Sequence, residues 1–182
     1  MTKYIIIGVL VIVLIYTLVT YNSLIRLRNK LEEAFSTMDV YLKRRWDLVP
    51  NLVETVKGYA KHEKETFENV VNLRNSSYEN LSQDDKMDIN NKLSAGITKI
   101  MALAESYPEL KASDNFLNLS TNLSKVEEDI ANSRKYYNAV VKLMNDKVQM
   151  FPSNIIASLF GFKASKMYEV SESERENVKV EF

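Results

Sequence analysis

The stretch "VYLKRRWDLVPNLVETVKG", residues 40–58, sets three consecutive bases, a tryptophan and a proline inside what otherwise reads as one very long helix. Pro50 cannot donate a hydrogen bond to the Trp46 carbonyl. In a straight helix its ring also clashes there, at about 3 kcal/mol. A proline is tolerated in a first helical turn, with Asp47 available as the N-cap of a new helix. Asp47 and Pro50 therefore predict a kink or a joint between two helices. The bases Lys43, Arg44 and Arg45 have two readings. They form a solvated face at that joint, where Asp39 and Asp47 offer Lys43 i,i+4 partners worth ~0.2–0.5 kcal/mol each. Alternatively, they contact a phosphate or an acidic lipid headgroup.

Upstream of the joint, Leu24, Leu27, Leu31, Ala34, Met38 and Tyr41 step by three and four, a heptad-like seam of the kind that builds coiled coils. Its next members are Arg45, Leu48 and Leu52, so a charge interrupts it. A second register, four residues out of phase, runs through Leu42, Trp46, Val49, Val53, Val56, Ala60, Glu63, Phe67, Val70 and Arg74. Such an offset is a stutter, which passes a helix from one packing partner to another. Farther upstream, no residue from Tyr4 to Ile25 is charged. About 18 strongly apolar residues at ~1.5 Å rise match a ~30 Å hydrocarbon core. No small-residue cleavage site follows them, so an uncleaved anchor is expected over residues 1–25. Lys3 flanks one side and Arg26, Arg28 and Lys30 the other. That bias favours a single-pass protein of a bacterial cell membrane with its N-terminus outside and its body in the cytoplasm.

Downstream, "NSSYENLSQDD" reads as a loop, with Ser82 and Asp85 resembling a capping box that opens the next helix. "SYP" stops that helix near Ser106, because a residue before proline disfavours the helical region. A last long helix starts between Glu109 and Phe116. Its seam runs Phe116, Leu119, Leu123, Val126, Ile130, Ser133, Tyr137, Val141, Met144, Val148 and Phe151, and Pro152 ends it. The expected fold is all-α, an N-terminal transmembrane helix followed by an up-and-down bundle of about four long helices over residues 26–162. Residues 163–182 form an acidic tail, read as flexible.

Composition agrees with this. The chain of 182 residues has only four glycines and three prolines, little raw material for barrels or phosphate loops. Lys+Arg and Asp+Glu balance at 24 each, which removes the footprint of a nucleic-acid binder. Without cysteine there is no disulfide and no thiolate metal site. His62 is the single histidine, and Thr66 stands where a zincin helix needs its second. His62 reads as an ordinary boundary residue. "QDDKMD" lacks the glycine and closing glutamate of a calcium loop, so its carboxylates read as capping groups. No catalytic residue, cofactor or metal is expected, and the chain reads as non-enzymatic.

Two features invite sharper hypotheses. Glu63 falls on a seam position of the first-half register, and Ser133, with Arg134 beside it, on the seam of the last helix. Packed antiparallel, these three would form a polar core layer that fixes register. The segment "FPSNIIASLFGF" is too apolar for an exposed tail. Its residues Phe151, Ile155, Ile156, Leu159, Phe160 and Phe162 form a hook that caps the bundle, docks on another subunit or lies on the membrane surface.

Several stretches together resemble the LemA family of bacterial membrane-anchored helical proteins. They are Tyr21-Asn22, Leu27-Arg28, and Asp39 with Leu42-Lys43-Arg44-Arg45. Then come Asp47 to Val53, Val56-Lys57-Gly58-Tyr59, His62-Glu63, Arg134 with Tyr137-Asn138, Phe151 to Asn154, and Phe160-Gly161-Phe162. Phe35 stands where the family pattern leads one to expect tryptophan. The resemblance implies one membrane helix and a helical bundle, and carries no catalytic residues with it. The expected function is a helical scaffold or adaptor that self-associates or binds another membrane protein, with the lipid bilayer as partner of its N-terminal helix. The alternatives are a membrane-surface module that binds or shapes lipid and, more remotely, an enzyme of unrecognised type.

Overall fold

A computed structural model describes residues 1–60, 63–74 and 77–169, and every regular element among them is helical. In chain order these are α1 (Thr2–Lys57), α2 (Lys64–Asn72), a 3-10 turn at Tyr78–Asn80, α3 (Gln83–Ala104), α4 (Pro108–Lys111), α5 (Asp114–Gln149) and α6 (Ser153–Leu159). The expected all-α bundle is present, with α1, α3 and α5 as its long helices. The chain divides into two compact units. The first comprises Met1–Thr37 with Ser133–Met167; the second comprises Met38–Asn132 and, among described residues, Tyr168 and Glu169.

Of the kink or joint expected at Asp47 and Pro50, the joint between two helices is absent, because α1 continues as one helix through Pro50 to Lys57. Pro50 is flanked by Trp46, Val49, Leu52 and Val53, all buried. Burying side chains of this size contributes roughly 1.5–3 kcal/mol each, and the four together exceed the local cost of one proline. The chain leaves the helix instead at Gly58, where the amides of Tyr59 and Ala60 both donate to the Val56 carbonyl. Glycine next to a helix C-terminus is the ordinary stop signal. Ser82 caps α3 as expected, its hydroxyl accepting from the Asp85 amide at 3.2 Å.

In the first unit, Leu24 of α1 and Met144 of α5 pack with Ile156 and Ala157 of α6. Tyr21, Leu27, Val148 and Phe162 close around them. Before this core α1 is bare: Tyr4, Leu14 and Val19 are 81%, 59% and 63% exposed. This is the described helix long and apolar enough to cross a membrane. The α5 seam is buried from Phe116 through Met144, but Phe151, assigned to its end, is exposed.

The first residues of the acidic tail are bonded into the fold. Asn145 donates to the Ser165 carbonyl at 2.9 Å and accepts from the Ser165 amide at 2.8 Å. Tyr137 donates to the Lys166 carbonyl at 3.1 Å. In the second unit Tyr168 is buried and Asn91 donates to the Glu169 carbonyl at 3.0 Å. The rest of the tail, like His62, lies outside the described residues.

In the second unit the two α1 registers are buried together. Arg45 and Leu52 of one lie inside alongside Leu42, Trp46, Val49, Val53 and Val56 of the other. The stutter therefore widens the buried face of α1. α2 sits close on α3: a Cβ at Gly96 would lie 2.6 Å from Val70 Cγ2.

Candidate functional site

Four elements of the second unit bring charged and polar groups into its interior. α1 supplies Asp39 and Arg45, with Lys43 at the surface edge paired to Asp47; the 3-10 turn supplies Tyr78; α5 supplies Glu127. On α3, Lys86, Asn90 and Ser94 recur every four residues and so share one face.

Arg45 is the largest side chain buried to this degree, at 1% exposure. Its Nε donates to Asn90 Oδ1 at 3.3 Å, and Nη2 to the Asn90 carbonyl at 2.7 Å and to Oδ1 at 3.0 Å. Nη1 donates to Ser94 Oγ and, at 2.8 Å, to both carboxylate oxygens of Glu127. Asn90 is itself held, its amide donating to the Lys86 carbonyl at 2.9 Å. A guanidinium buried without such partners is prohibitively costly, and its fixed fork can serve a carbonyl, an amide and a carboxylate at once. Glu127 is 38% exposed, so the ion pair opens on one side to water.

A second cluster adjoins it. Tyr78 donates to Asp39 Oδ1 at 2.6 Å, and Lys86 pairs with Asp39 Oδ2 at 2.7 Å. Lys86 also lies over the Tyr78 ring, 4.7 Å from its centroid. Burial, then the hydrogen bond and negative charge of Asp39, push the Tyr78 phenol well above its ordinary value of 10.0. The Tyr78 ring packs on Trp46 at 5.2 Å between centroids, and the Arg74 guanidinium lies 5.2 Å from the Trp46 ring centre.

These contacts revise the expected sites. Arg45 is an interior residue whose donors are turned to protein acceptors, so it is not a lipid or phosphate contact. Lys43 bonds Asp47 at 2.7 Å, as anticipated, while Asp39 turns away to Tyr78 and Lys86. Of the three bases, Arg44 is the exposed one. The layer expected from Glu63, Ser133 and Arg134 is not assembled as such, and the buried polar cluster around Arg45 is a different one. Glu63 is exposed, whereas Ser133 is buried and Arg134 half-buried within the first unit. Asn90, Ser94 and Glu127 were missed. Their one sequence signal was the four-residue polar recurrence of Lys86, Asn90 and Ser94 beside buried Met87, Leu93 and Ile97.

The apolar hook occupies the first unit. Ile156 faces the core, and Phe162 is partly buried there. Phe151, Ile155, Leu159 and Phe160 are exposed, and the Phe160 ring centroid stands 4.8 Å from that of Tyr21.

A model of the LemA family matches residues 34–182, which include both the polar interior and the hook. The chain belongs to the LemA family. Protein LemA of Metamycoplasma hominis is 29% identical over 161 residues, covering 86% of this chain and 72% of that protein. Magnetosome protein MamQ 2 of Paramagnetospirillum magneticum is 26% identical over 178 residues, 84% of this chain and 65% of the relative. MamQ of Magnetospirillum gryphiswaldense is 26% identical over 172 residues, 80% of this chain and 63% of its own length. The chain thus spans a little under two thirds of these magnetosome proteins. In this LemA-family chain, as described, the interior charges bond to one another across α1, α3 and α5.

Proposed function

We propose that this chain is a non-enzymatic, single-pass membrane protein whose helical body serves as a scaffold or adaptor, associating with itself or with another membrane protein. The observation that carries this reading is α1. One helix begins as an exposed apolar stretch of membrane-spanning length and goes on to supply Asp39 and Arg45 to the polar interior of a helical body. Of the three bases that looked available for a small ligand, Arg45 is engaged within the fold and Lys43 is paired with Asp47. What the molecule offers to others is then its helical surfaces, held at a membrane. The same reading keeps the N-terminus outside and the body in the cytoplasm, from the bases that follow the span.

Cross-linking in native membranes, followed by mass determination of the detergent-extracted full chain, tests the proposal. Recovery of a homo-oligomer or of a defined membrane-protein adduct is the expected result. A monomer without cross-links to itself or to any other protein abolishes the reading. The chain has no native cysteine, so Lys135→Cys at an exposed α5 position reports sidedness cleanly. Labelling by a membrane-impermeant thiol reagent only after permeabilisation is expected, and labelling in intact cells reverses the topology.

The membrane-surface alternative rests on a separate observation, the exposed apolar side of α6.

A further inference from the structure

α6 is apolar on both sides. Ile156 and Ala157 point inward to Leu24 and Met144. On the opposite side Ile155 and Leu159, one helical turn apart, are 56% and 72% exposed. Met150 and Phe151 before the helix and Phe160 after it are also exposed, at 62%, 79% and 49%. Residues 148–162 carry no charged side chain, and Lys147 and Lys163 bracket them. A seven-residue helix reaches only about 10 Å, so the segment cannot span a bilayer. An apolar patch of this kind marks a surface that is covered in use.

The position of α6 says what covers it. Tyr21 is the last aromatic of the apolar run of α1, and the first base after that run is Arg26. Both Phe160 and Phe162 hold Tyr21, at 4.8 and 5.9 Å between ring centroids, and Arg28 lies 6.0 Å from the Phe162 ring centre. α6 is therefore fastened within about one and a half helical turns of the point where α1 meets its first charge, roughly 8 Å along the axis. If α1 spans, that point is the boundary between hydrocarbon and headgroups, where aromatic rings and flanking bases are favoured.

We infer that α6 is an interfacial membrane element. Phe151, Ile155 and Leu159 enter the leaflet from which α1 emerges, and Arg26, Arg28, Lys147 and Lys163 supply positive charge at headgroup level. The bundle is then held to the bilayer at two places. The occupant of the patch is lipid, because the patch is continuous with the lipid-facing helix and is fastened to it by Tyr21. This inference rests on the proposed span of α1.

The test uses the full chain in vesicles of phosphatidylcholine and phosphatidylglycerol. Phe151→Cys, Ile155→Cys and Leu159→Cys alter exposed positions only, and each carries an environment-sensitive fluorophore. Leu14→Cys serves as reference within the span and Lys135→Cys as reference in water. Lipids with spin labels at set depths along the acyl chain act as quenchers. The three α6 positions are expected to show blue-shifted emission and to be quenched at a depth of about 5–10 Å, shallower than Leu14→Cys. If they match Lys135→Cys while Leu14→Cys is quenched, the α6 inference falls and the span stands. If Leu14→Cys is also unquenched, both fall. If the blue shift vanishes as protein is diluted into lipid, another copy of the chain covers α6, and the lipid reading is overturned.

Discussion

The second unit hides an arginine at 1% exposure, while the first leaves a phenylalanine at 79%. Arg45 is inside because four acceptor groups from two other helices were brought to it: the Asn90 carbonyl and side chain, Ser94 and Glu127. Phe151 is outside, past the end of α5 at Gln149, where the helical seam that would have carried it inward has stopped. Charge and apolarity thus do not by themselves assign a side chain to surface or core. The partner does, whether that partner is a carbonyl across a helix interface or, as inferred for α6, a bilayer.

The contrast can be broken at its polar end first. Arg45→Ala, which opens a cavity and leaves the buried Asn90 without its guanidinium while the part-exposed Glu127 turns to water, is expected to cost about 2–4 kcal/mol, read as a lowered denaturation midpoint of the detergent-solubilised full chain. Arg45→Lys should recover only part of this, since a single ammonium cannot reproduce the fork. Tyr78→Phe comes next, at about 1.5 kcal/mol for a hydrogen bond lost from the charged Asp39. It also carries a pH signature. The Tyr78 phenol ionises above its ordinary value of 10.0 in the fold, so above that pH the unfolded chain gives up its proton first. The contribution is full below pH 10.0 and declines as pH rises beyond it. The stability gap between wild type and Tyr78→Phe should therefore narrow above pH 10.0 and hold constant from neutral pH up to it, where Asp39 is charged, in denaturation series at stepped pH.

Gly96→Ala tests the interior with a single methyl group. Its Cβ would meet the stiff Val70 side chain at 2.6 Å, and overpacking less the gain in helix propensity leaves a loss of about 1 kcal/mol. Gly8→Ala, with nothing within 4 Å of its Cβ, should cause no loss in the same thermal melts. The smallest effect belongs to the apolar end. Phe151→Ser should change folding stability by no more than about 0.5 kcal/mol, because the ring is already outside the core. A large loss there would mean that the ring is buried in the protein as it unfolds in detergent.

Much of this was legible residue by residue. The α5 seam from Phe116 to Met144, the Ser82 cap, the Pro108 stop and the apolar run before Arg26 were all read from spacing and composition, because each is a local property of the chain. The joint read at Pro50 does not form: the cost of the proline is local and visible, whereas the buried neighbours that outweigh it come from packing. Glu63 lay in phase with Val56 and Phe67, yet it sits exposed just before α2, beyond the turn at Gly58 that ended the register.

Helical periodicity, the caps and the length of the apolar run established an all-α chain with one helix fit to cross a bilayer. They are short-range quantities, set by residues within a few turns of one another. The polar layer could not be found that way. Arg45 lies 45 residues from Asn90, 49 from Ser94 and 82 from Glu127. Whether a buried charge is tolerated depends on acceptors that meet it only when the helices pack.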